Sequence, residues 1–252
     1  MKRHHIIPVA TVAGLLVLWE LACRGGLVPA FLLPAPTQVV AALVRDAALI
    51  ASHSATTLIE ALAGLVVGVI LGFVLACVMD RFEVVAQALS PLITLSQTVP
   101  TIAIAPLLVL WLGYGLLPKV VLVVLTTFFP VAISLYAGFS SVDRYQLNLM
   151  RTMGATTAQT FWHVKLPAAA DQFFSGLKIS ATYAIVGAVI AEWLGGFSGL
   201  GVYMTRVRKS FSYDRMFASI LVISALSLLL MRAVDVLEYL CVPWKRVERK
   251  QK

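Results

Sequence analysis

The chain has 252 residues, of which 60% are hydrophobic and only 13% are charged, and its formal net charge is +8. This composition excludes a soluble globular protein, whose exterior must be substantially polar, and a disordered chain, whose signature is low hydrophobicity. The three cysteines are too widely spaced for a disulfide framework. The sequence therefore predicts an all-α, polytopic membrane protein, and its basic residues are read first as a topology signal.

Six apolar stretches approach the roughly 20 residues that a helix needs to cross the hydrocarbon layer. In chain order they are Ile6–Cys23, Leu58–Met79, Leu92–Leu112, Val120–Val142, Ser175–Leu194 and Phe217–Cys241. The first follows Lys2 and Arg3, as a signal peptide would. Its apolar run is longer than a signal peptide usually has and no small-residue cleavage site follows, so we interpret it as a retained helix.

An even number of spans places both termini on the same side of the membrane. With both termini in the cytoplasm, most Lys and Arg residues fall in cytoplasmic segments, as the positive-inside rule requires. The basic cluster Arg206, Arg208 and Lys209 would then lie outside. Either this cluster faces an anionic surface, which we favour, or the fifth span is misplaced.

Two segments outside the predicted spans are long enough to have structure of their own. The external one, Arg24–Thr57, contains two closely spaced prolines followed by a helix start that Thr37 can cap. The internal one covers about residues 143–175. The chain shows no internal repeat and no low-complexity tract, so we expect one transmembrane domain over residues 1–252.

The internal segment is the most informative part of the sequence. It reads as two short helices with a turn at Gly154, where the missing Cβ permits a positive φ. Pro167 is expected to end or redirect the second piece. Such a helical knob is suited to transmitting force to a soluble partner, whereas on periodicity alone it reads as an ordinary loop.

The spacing of this segment resembles the coupling loop of ATP-binding cassette importer permeases. In that family a Glu-Ala-Ala triplet is followed by three residues, Gly, nine residues, Ile, one residue and Leu-Pro. Here Gly154 is followed by nine residues and then by Val164, Lys165, Leu166 and Pro167. Val replaces Ile conservatively, while Asn148-Leu149-Met150 stands in place of the triplet.

Other stretches resemble the branch of that family that serves taurine, sulfonates, nitrate and thiamine pyrimidine precursors. The resemblance runs from about Leu33 to Met204. It rests on four short motifs in the right order: Leu33-Pro34-Ala35-Pro36, Gln97-Thr98-Val99-Pro100, Trp111-Leu112-Gly113-Tyr114-Gly115 and Ala191-Glu192-Trp193-Leu194-Gly195.

The resemblance implies the fold of a type I importer permease, with about six transmembrane helices, in the bacterial cytoplasmic membrane. It implies a separate ATPase that binds ATP and Mg²⁺, a periplasmic or lipid-anchored substrate-binding protein, and a second copy of the permease. No cofactor is expected in this chain, and no nucleic acid partner. The residues expected to couple to the ATPase are Arg151, Gly154, Ala155, Val164, Leu166 and Pro167.

The substrate implied is a small polar nutrient. The stretch from Trp111 to Lys119 is most similar to permeases for thiamine pyrimidine precursors, while taurine, sulfonates and nitrate remain alternatives. An ion-coupled secondary transporter is disfavoured, because neither a carboxylate relay nor an inverted repeat is visible. An enzyme is not predicted, since the sequence shows no catalytic set, no metal site and no phosphate-binding loop.

Five residues are candidates for the translocation pathway: Ser96, Gln97, Thr98, Pro100 and Glu192. Polar groups and a broken backbone at membrane depth are typical of a wet cavity. The alternative for the first four is a kinked packing helix whose hydroxyls bond their own carbonyls. The alternative for Glu192 is a carboxylate satisfied by backbone amides of the Gly195–Gly201 turn.

Three further features concern helix packing. Gly64, Gly68 and Gly72 give the second span a small-residue face for packing within the subunit or across a dimer. Glu60 is expected at a membrane interface. Arg232 and Asp235 are spaced for an internal ion pair.

Overall fold

The computed structural model describes residues 3–27, 29, 32–96 and 98–243, and within them the secondary structure is helical throughout. The helices are α1 (Arg3–Arg24), α2 (Pro36–Arg45), α3 (Ala47–Arg81), α4 (Glu83–Ser96), α5 (Thr101–Leu112), α6 (Leu116–Ser140), α7 (Arg144–Thr152), α8 (Thr157–Thr160), α9 (Leu166–Gly195), α10 (Leu200–Lys209) and α11 (Tyr213–Cys241). A π-helical segment, Phe161–Lys165, joins α8 to α9.

Four helical stretches of the described chain are long and apolar enough to cross a membrane. They are α3, α6, α11 and the continuous helix Thr157–Gly195, which runs through α8, the π-helical segment and α9. Each contains or overlaps one of the predicted spans. The first predicted span coincides with α1, a helix of 22 residues.

The third predicted span is wrong as a single helix. Leu92–Leu112 is divided between α4 and α5, and α4 already begins at Glu83. Pro100 explains the break, because a proline supplies no N–H and disfavours the helical conformation of the residue before it. Pro91 and Pro106, in contrast, lie inside helices.

Helix α3 is longer than the predicted second span. Its 35 residues extend about 52 Å, against a hydrocarbon core of about 30 Å. The sequence from Ala47 to Thr57 has no Gly or Pro to interrupt a helix, but its Ser, His and Thr residues lower the hydropathy. Hydropathy therefore located the apolar part of α3 and missed its first turns.

The core forms where α6 packs between α3 and α9. The glycine face of α3 lies directly against α6: a Cβ at Gly64 would overlap Val123, and one at Gly68 would overlap the Thr127 hydroxyl. Gly72 faces the backbone at Phe128 in the same way. Of the two interpretations of this face, the structure shows packing within the subunit.

The two ends of the molecule are recognised by their ion pairs. At one end, called the Asp80 end, the Lys165 ammonium lies 2.6 Å from the Asp80 carboxylate. At the other, called the Asp46 end, the Arg215 guanidinium lies 3.0 Å from the Asp46 carboxylate. The helix Thr157–Gly195 runs from the first end to the second.

Candidate functional site

The predicted turn at Gly154 is confirmed. Helix α7 is capped by Asp143, whose carboxylate accepts a hydrogen bond from the Tyr145 amide. Gly154, two residues beyond the last residue of α7, has a φ of +73°. The Gly154 amide donates to the Arg151 carbonyl and the Ala155 amide donates to the Met150 carbonyl, each at 3.0 Å. This pair of bonds is a Schellman motif, which requires a left-handed residue at the glycine position.

The second half of the segment differs from the prediction. Thr156 and Gln159 form a reciprocal capping box at the start of α8. Pro167 does not end the helix, which continues to Gly195. The π-helical turn just before it, closed by a bond from the Leu166 amide to the Phe161 carbonyl, widens the helix where the proline ring would otherwise meet the preceding turn.

The residues predicted to contact an ATPase fall into two groups. Arg151 and Gly154 are exposed, and no atom lies within 4 Å of a Cβ built on Gly154. Leu166 packs with the buried core residues at the Asp80 end. The others, Ala155, Val164 and Pro167, are half-buried.

The exposed part of this segment is apolar as well as basic. Tyr145 and Met153 are each 73% exposed, and Trp162 is 62% exposed. The segment itself is anchored: the Phe161 ring packs against Phe139, with 5.5 Å between ring centroids. The combination of an anchored backbone and exposed large side chains is typical of a docking surface. The sequence did not single out these side chains.

The predicted pathway residues around the α4–α5 break have local hydrogen bonds. The Ser96 hydroxyl donates to the Ile93 carbonyl and the Thr98 hydroxyl donates to the Leu95 carbonyl, each at 2.7 Å. Gln97 lies outside the described residues. These bonds have the form of the alternative interpretation, in which the hydroxyls satisfy their own helix.

Ser96 and Pro100 nevertheless border an open cavity of about 470 Å³ between the α4–α5 break, α6 and α9. Thr126 and Phe129 of α6 and Tyr183 of α9 are also part of its wall. Among the residues that the structure describes, no charged side chain lines this cavity. The structure therefore brings two of the predicted pathway residues together with residues that the sequence did not indicate, among them Thr126, Phe129 and Tyr183.

Glu192 does not line that cavity. It is 1% exposed, and both carboxylate oxygens accept hydrogen bonds. The Thr57 hydroxyl donates to Oε1 at 2.7 Å, and the Gly201 amide donates to Oε2 at 2.6 Å. The contact with Gly201 is the one that the alternative interpretation of Glu192 anticipated, whereas the contact with Thr57 joins residues 135 positions apart.

The cluster around Glu192 caps the start of α10. The Leu200 amide donates to the Thr57 hydroxyl at 2.8 Å, and the Gly199 amide donates to Nδ1 of His53 at 3.0 Å. Together with the Gly201 amide, these are backbone donors that the first turn of a helix cannot satisfy itself. Side chains from α3 and α9 thus replace the usual capping residue of α10.

A buried ion pair lies next to this cluster. The Lys119 ammonium of α6 lies 2.6 Å from the Glu60 carboxylate of α3, and both side chains are almost completely buried. Glu60 was expected at a membrane interface, and the structure buries its carboxylate between α3 and α6. The Glu192 carboxyl interacts electrostatically with both members of this pair.

The Asp46 end is completed by a second polar cluster. The Tyr203 hydroxyl of α10 donates to the Asp46 carboxylate at 2.8 Å. Burial and this bond raise the pKa of Tyr203. The Arg45 guanidinium lies 3.0 Å from Asp214. The connection before α3 is thereby tied to α10 and to the start of α11.

The basic cluster of α10 lies at the same end. Arg206, Arg208 and Lys209 occupy its last turn, where positive charge complements the helix dipole. All three are exposed, and Arg206 donates to the Phe197 carbonyl at 2.8 Å.

The expected ion pair of Arg232 and Asp235 is present, but it lies at the surface and Asp235 has a closer partner. The Arg232 side chain is 78% exposed and its guanidinium lies 3.7 Å from Asp235. Asp235 lies 2.7 Å from the Lys178 ammonium, which also reaches Glu238. These pairs connect α9 to α11.

Comparison with known proteins shows the family of this chain. Residues 64–241 match the family described as "Binding-protein-dependent transport system inner membrane component". The chain is 37% identical to the formylaminopyrimidine transport permease protein ThiX of Halalkalibacterium halodurans, over 98% of this chain and 99% of that protein. It is 30% identical to the taurine transport system permease protein TauC of Escherichia coli, over 97% and 91% of the two chains.

A solved structure supports the fold. A chain of the MetNI methionine ABC transporter in inward-facing conformations superposes with a TM-score of 0.60 at 20% identity, covering 78% of this chain and 94% of that one. Its helical arrangement is therefore shared. The chain belongs to the family of binding-protein-dependent transport system inner membrane components, and it is an ABC importer permease subunit, a multi-pass inner membrane protein and not an enzyme.

Proposed function

We propose that this permease works as a homodimer with a separate ATPase and an external substrate-binding protein, and that it imports a neutral, pyrimidine-like nutrient. The ATPase would bind ATP and Mg²⁺, and this chain would hold no cofactor. The observation that carries the proposal is the anchored segment at the Asp80 end. Its backbone is fixed by a Schellman turn and a capping box, while Met153 and Trp162 are exposed.

The segment fits a soluble partner because its tip is both apolar and basic. Arg151 and Gly154 lie at the tip, and the ion pair between Lys165 and Asp80 holds its base against α3. ATP-driven closure of the ATPase would push on the tip. Ala155, Val164, Leu166 and Pro167 would keep the segment rigid, so that the push moves the spans.

This docking would place the Asp80 end in the cytoplasm. Helix α11 begins at the Asp46 end, where Asp214 pairs with Arg45. It runs in the opposite direction to α9 and therefore finishes at the Asp80 end. The C-terminus would then be cytoplasmic, and α1 as a further span would place the N-terminus there too. The basic residues near both termini agree with this orientation under the positive-inside rule.

The position of the cavity supports the proposed homodimer. It opens on one side of the subunit, at Ser96, Pro100, Thr126, Phe129 and Tyr183. One subunit does not enclose it, whereas two copies related by a two-fold axis would close a shared passage between them. Gln97 and Thr98, beside the same helix break, would border that passage.

The wall of the cavity favours a neutral substrate. It offers hydroxyl groups from Ser96, Thr126 and Tyr183 and a flat apolar ring from Phe129, and the described part of its lining contains no charged group. A sulfonate or nitrate ion would lose its hydration there without gaining a cation. A pyrimidine can hydrogen-bond to hydroxyls and pack against aromatic rings, as the substrate named for the ThiX relative would.

The proposal is tested by purifying the tagged permease in mild detergent from its native cell. We expect an ATPase to copurify in about equal amounts, and a crosslinker to give a permease dimer. Vesicles containing that complex and the binding protein should then take up a formylaminopyrimidine in an ATP-dependent manner. Recovery of the permease alone, under conditions that keep a known importer intact, would overturn the proposed assembly. Uptake of taurine in preference to the pyrimidine would overturn the proposed substrate class.

A further inference from the structure

We infer that Thr57 and Glu192 are positioning residues that fasten α10 to the outer end of the helix Thr157–Gly195, so that contact of the binding protein with α10 reaches the ATPase segment along one helix. The inference rests on the proposed function, because it requires both partners. It assigns these two side chains to the regulation of ATP hydrolysis by the binding protein.

Hydrogen bonds and close packing join the first turn of α10 to Thr57 and Glu192. The Thr57 hydroxyl donates to Glu192 and accepts from the Leu200 amide, and Glu192 accepts from the Gly201 amide. A Cβ at Gly199 would overlap the Glu192 carboxylate. The first turn of α10 is thus pressed against the carboxylate of α9 and bonded to it both directly and through Thr57.

Burial makes this connection stronger than a surface contact. Thr57 has no exposed area and Glu192 is 1% exposed. Buried polar groups gain from low local dielectric when they are satisfied, and they cost more when a bond is broken. Moving α10 away from α3 and α9 would leave three backbone amides without partners and would remove one of the two hydrogen bonds to the Glu192 carboxylate. The favourable alternative is that α10 and the end of α9 move together.

The helix that ends at this cluster begins in the ATPase segment. Thr157–Gly195 has 39 residues and therefore extends about 58 Å. At its far end Lys165 binds Asp80, and the exposed Trp162 side chain lies one turn before it. A displacement of Glu192 is transmitted to this end because a continuous helix is stiff along its axis.

Helix α10 also presents a surface for the binding protein. Its last turn carries Arg206, Arg208 and Lys209, all exposed at the Asp46 end. An acidic surface on the binding protein would be attracted to these cations. The buried first turn of α10 therefore holds α9, while its exposed last turn is free to meet the partner.

The test measures ATP hydrolysis by the reconstituted permease–ATPase complex with and without the substrate-binding protein. Thr57→Val removes the bridging hydroxyl at nearly constant volume. We expect it to keep the basal ATPase rate and the amount of assembled complex, and to lower stimulation by the binding protein at least fivefold. Thr57→Ser restores the hydroxyl and should restore stimulation.

A matched control lies one residue away. The Thr56 hydroxyl contacts the Ser52 carbonyl of its own helix. ATP hydrolysis by a Thr56→Val complex should therefore be stimulated by the binding protein as much as in the wild type. Glu192→Gln provides a second variant that keeps the shape but loses one acceptor. Its ratio of stimulated to basal rate should also fall.

The outcomes separate the inference from the proposed function. If the wild-type complex contains an ATPase and is stimulated, but Thr57→Val is stimulated within twofold of the wild type, the inference is overturned. Loss of assembly or of basal hydrolysis in Thr57→Val, without rescue by Thr57→Ser, also overturns it by showing a purely structural role. If the wild type itself has no ATPase or no stimulation, the proposed function fails.

Discussion

The Asp46 end and the Asp80 end of this permease are built in opposite ways. At the Asp46 end, buried side chains from α3 and α9 satisfy the first amides of α10, and Glu192 is enclosed. At the Asp80 end, a turn at Gly154 projects large side chains into open space, and an ion pair between Lys165 and Asp80 holds its base. The first end resists relative motion of its helices, whereas the second offers a surface to another protein.

The largest effect is expected from breaking the buried pair that supports the Asp46 end. Lys119→Met leaves the Glu60 carboxylate buried without its cation, which should cost about 3–5 kcal/mol of folding free energy. The measurement is the amount of monodisperse protein in detergent and its melting temperature. Glu60→Gln combined with Lys119→Met should recover most of the loss. A single variant as stable as the wild type would contradict the structural role of this pair.

Gly154→Val should give the next largest effect, on coupling. A β-branched residue at a φ of +73° is strained by about 1–2 kcal/mol or more, so the Schellman turn should change shape. We expect transport to fall more than tenfold while membrane insertion and the yield of permease are retained. Transport and ATP hydrolysis are measured in the same vesicles.

Gly154→Asn is the control for that variant, because Asn tolerates the left-handed conformation better than other side chains. It should retain a large part of the coupled transport, since no atom obstructs a side chain at this position. Wild-type uptake by Gly154→Val would contradict the assignment of this turn to the ATPase contact.

The ion pair between Lys165 and Asp80 should matter less. Lys165→Ala removes the contact with Asp80, which is partly exposed and therefore contributes about 1 kcal/mol or less. We expect nearly normal stability and a reduction of severalfold in transport per ATP hydrolysed, because the base of the segment loosens. The exchange variant Asp80→Lys with Lys165→Asp should recover part of this ratio. Unchanged coupling in Lys165→Ala would show that packing alone anchors the segment.

The smallest effects on stability are expected at Arg232 and Lys178, two basic residues near Asp235. Arg232→Ala should change neither stability nor transport, because its side chain is 78% exposed and lies 3.7 Å from Asp235. Lys178→Ala should destabilise the protein measurably, since Lys178 contacts both Asp235 and Glu238 between α9 and α11. Melting temperatures of the two variants decide the point, and equal losses would contradict the arrangement seen here.

The sequence predicted what depends on local composition. Spans at α6 and α11 follow from long, mostly apolar runs, and the turn at Gly154 follows from a glycine at the end of a polar helix. The sequence predicted a disturbed backbone near Pro100 but not the separation of α4 from α5, because hydropathy does not register the loss of an amide donor.

The contacts at the Asp46 end could not be predicted from local sequence patterns. Thr57 and Glu192 are 135 residues apart, and Glu60 and Lys119 are 59 residues apart. Each of these residues looks like an interfacial polar group in its own stretch. Only the packing of α3 against α6 and α9 brings them together, and a single sequence contains no signal of that pairing.

The π-helical turn Phe161–Lys165 fixes the direction in which the Gly154 tip points. Its closing bond spans five residues instead of four, so the turn holds one residue more than an α-helix would. Each residue rotates an α-helix by about 100° and lengthens it by about 1.5 Å. Deleting one residue here would leave both flanking helices intact and turn the tip to another side of the molecule. The direction in which the docking surface faces is therefore set by the number of residues in this turn. It does not depend on which side chains the surface carries.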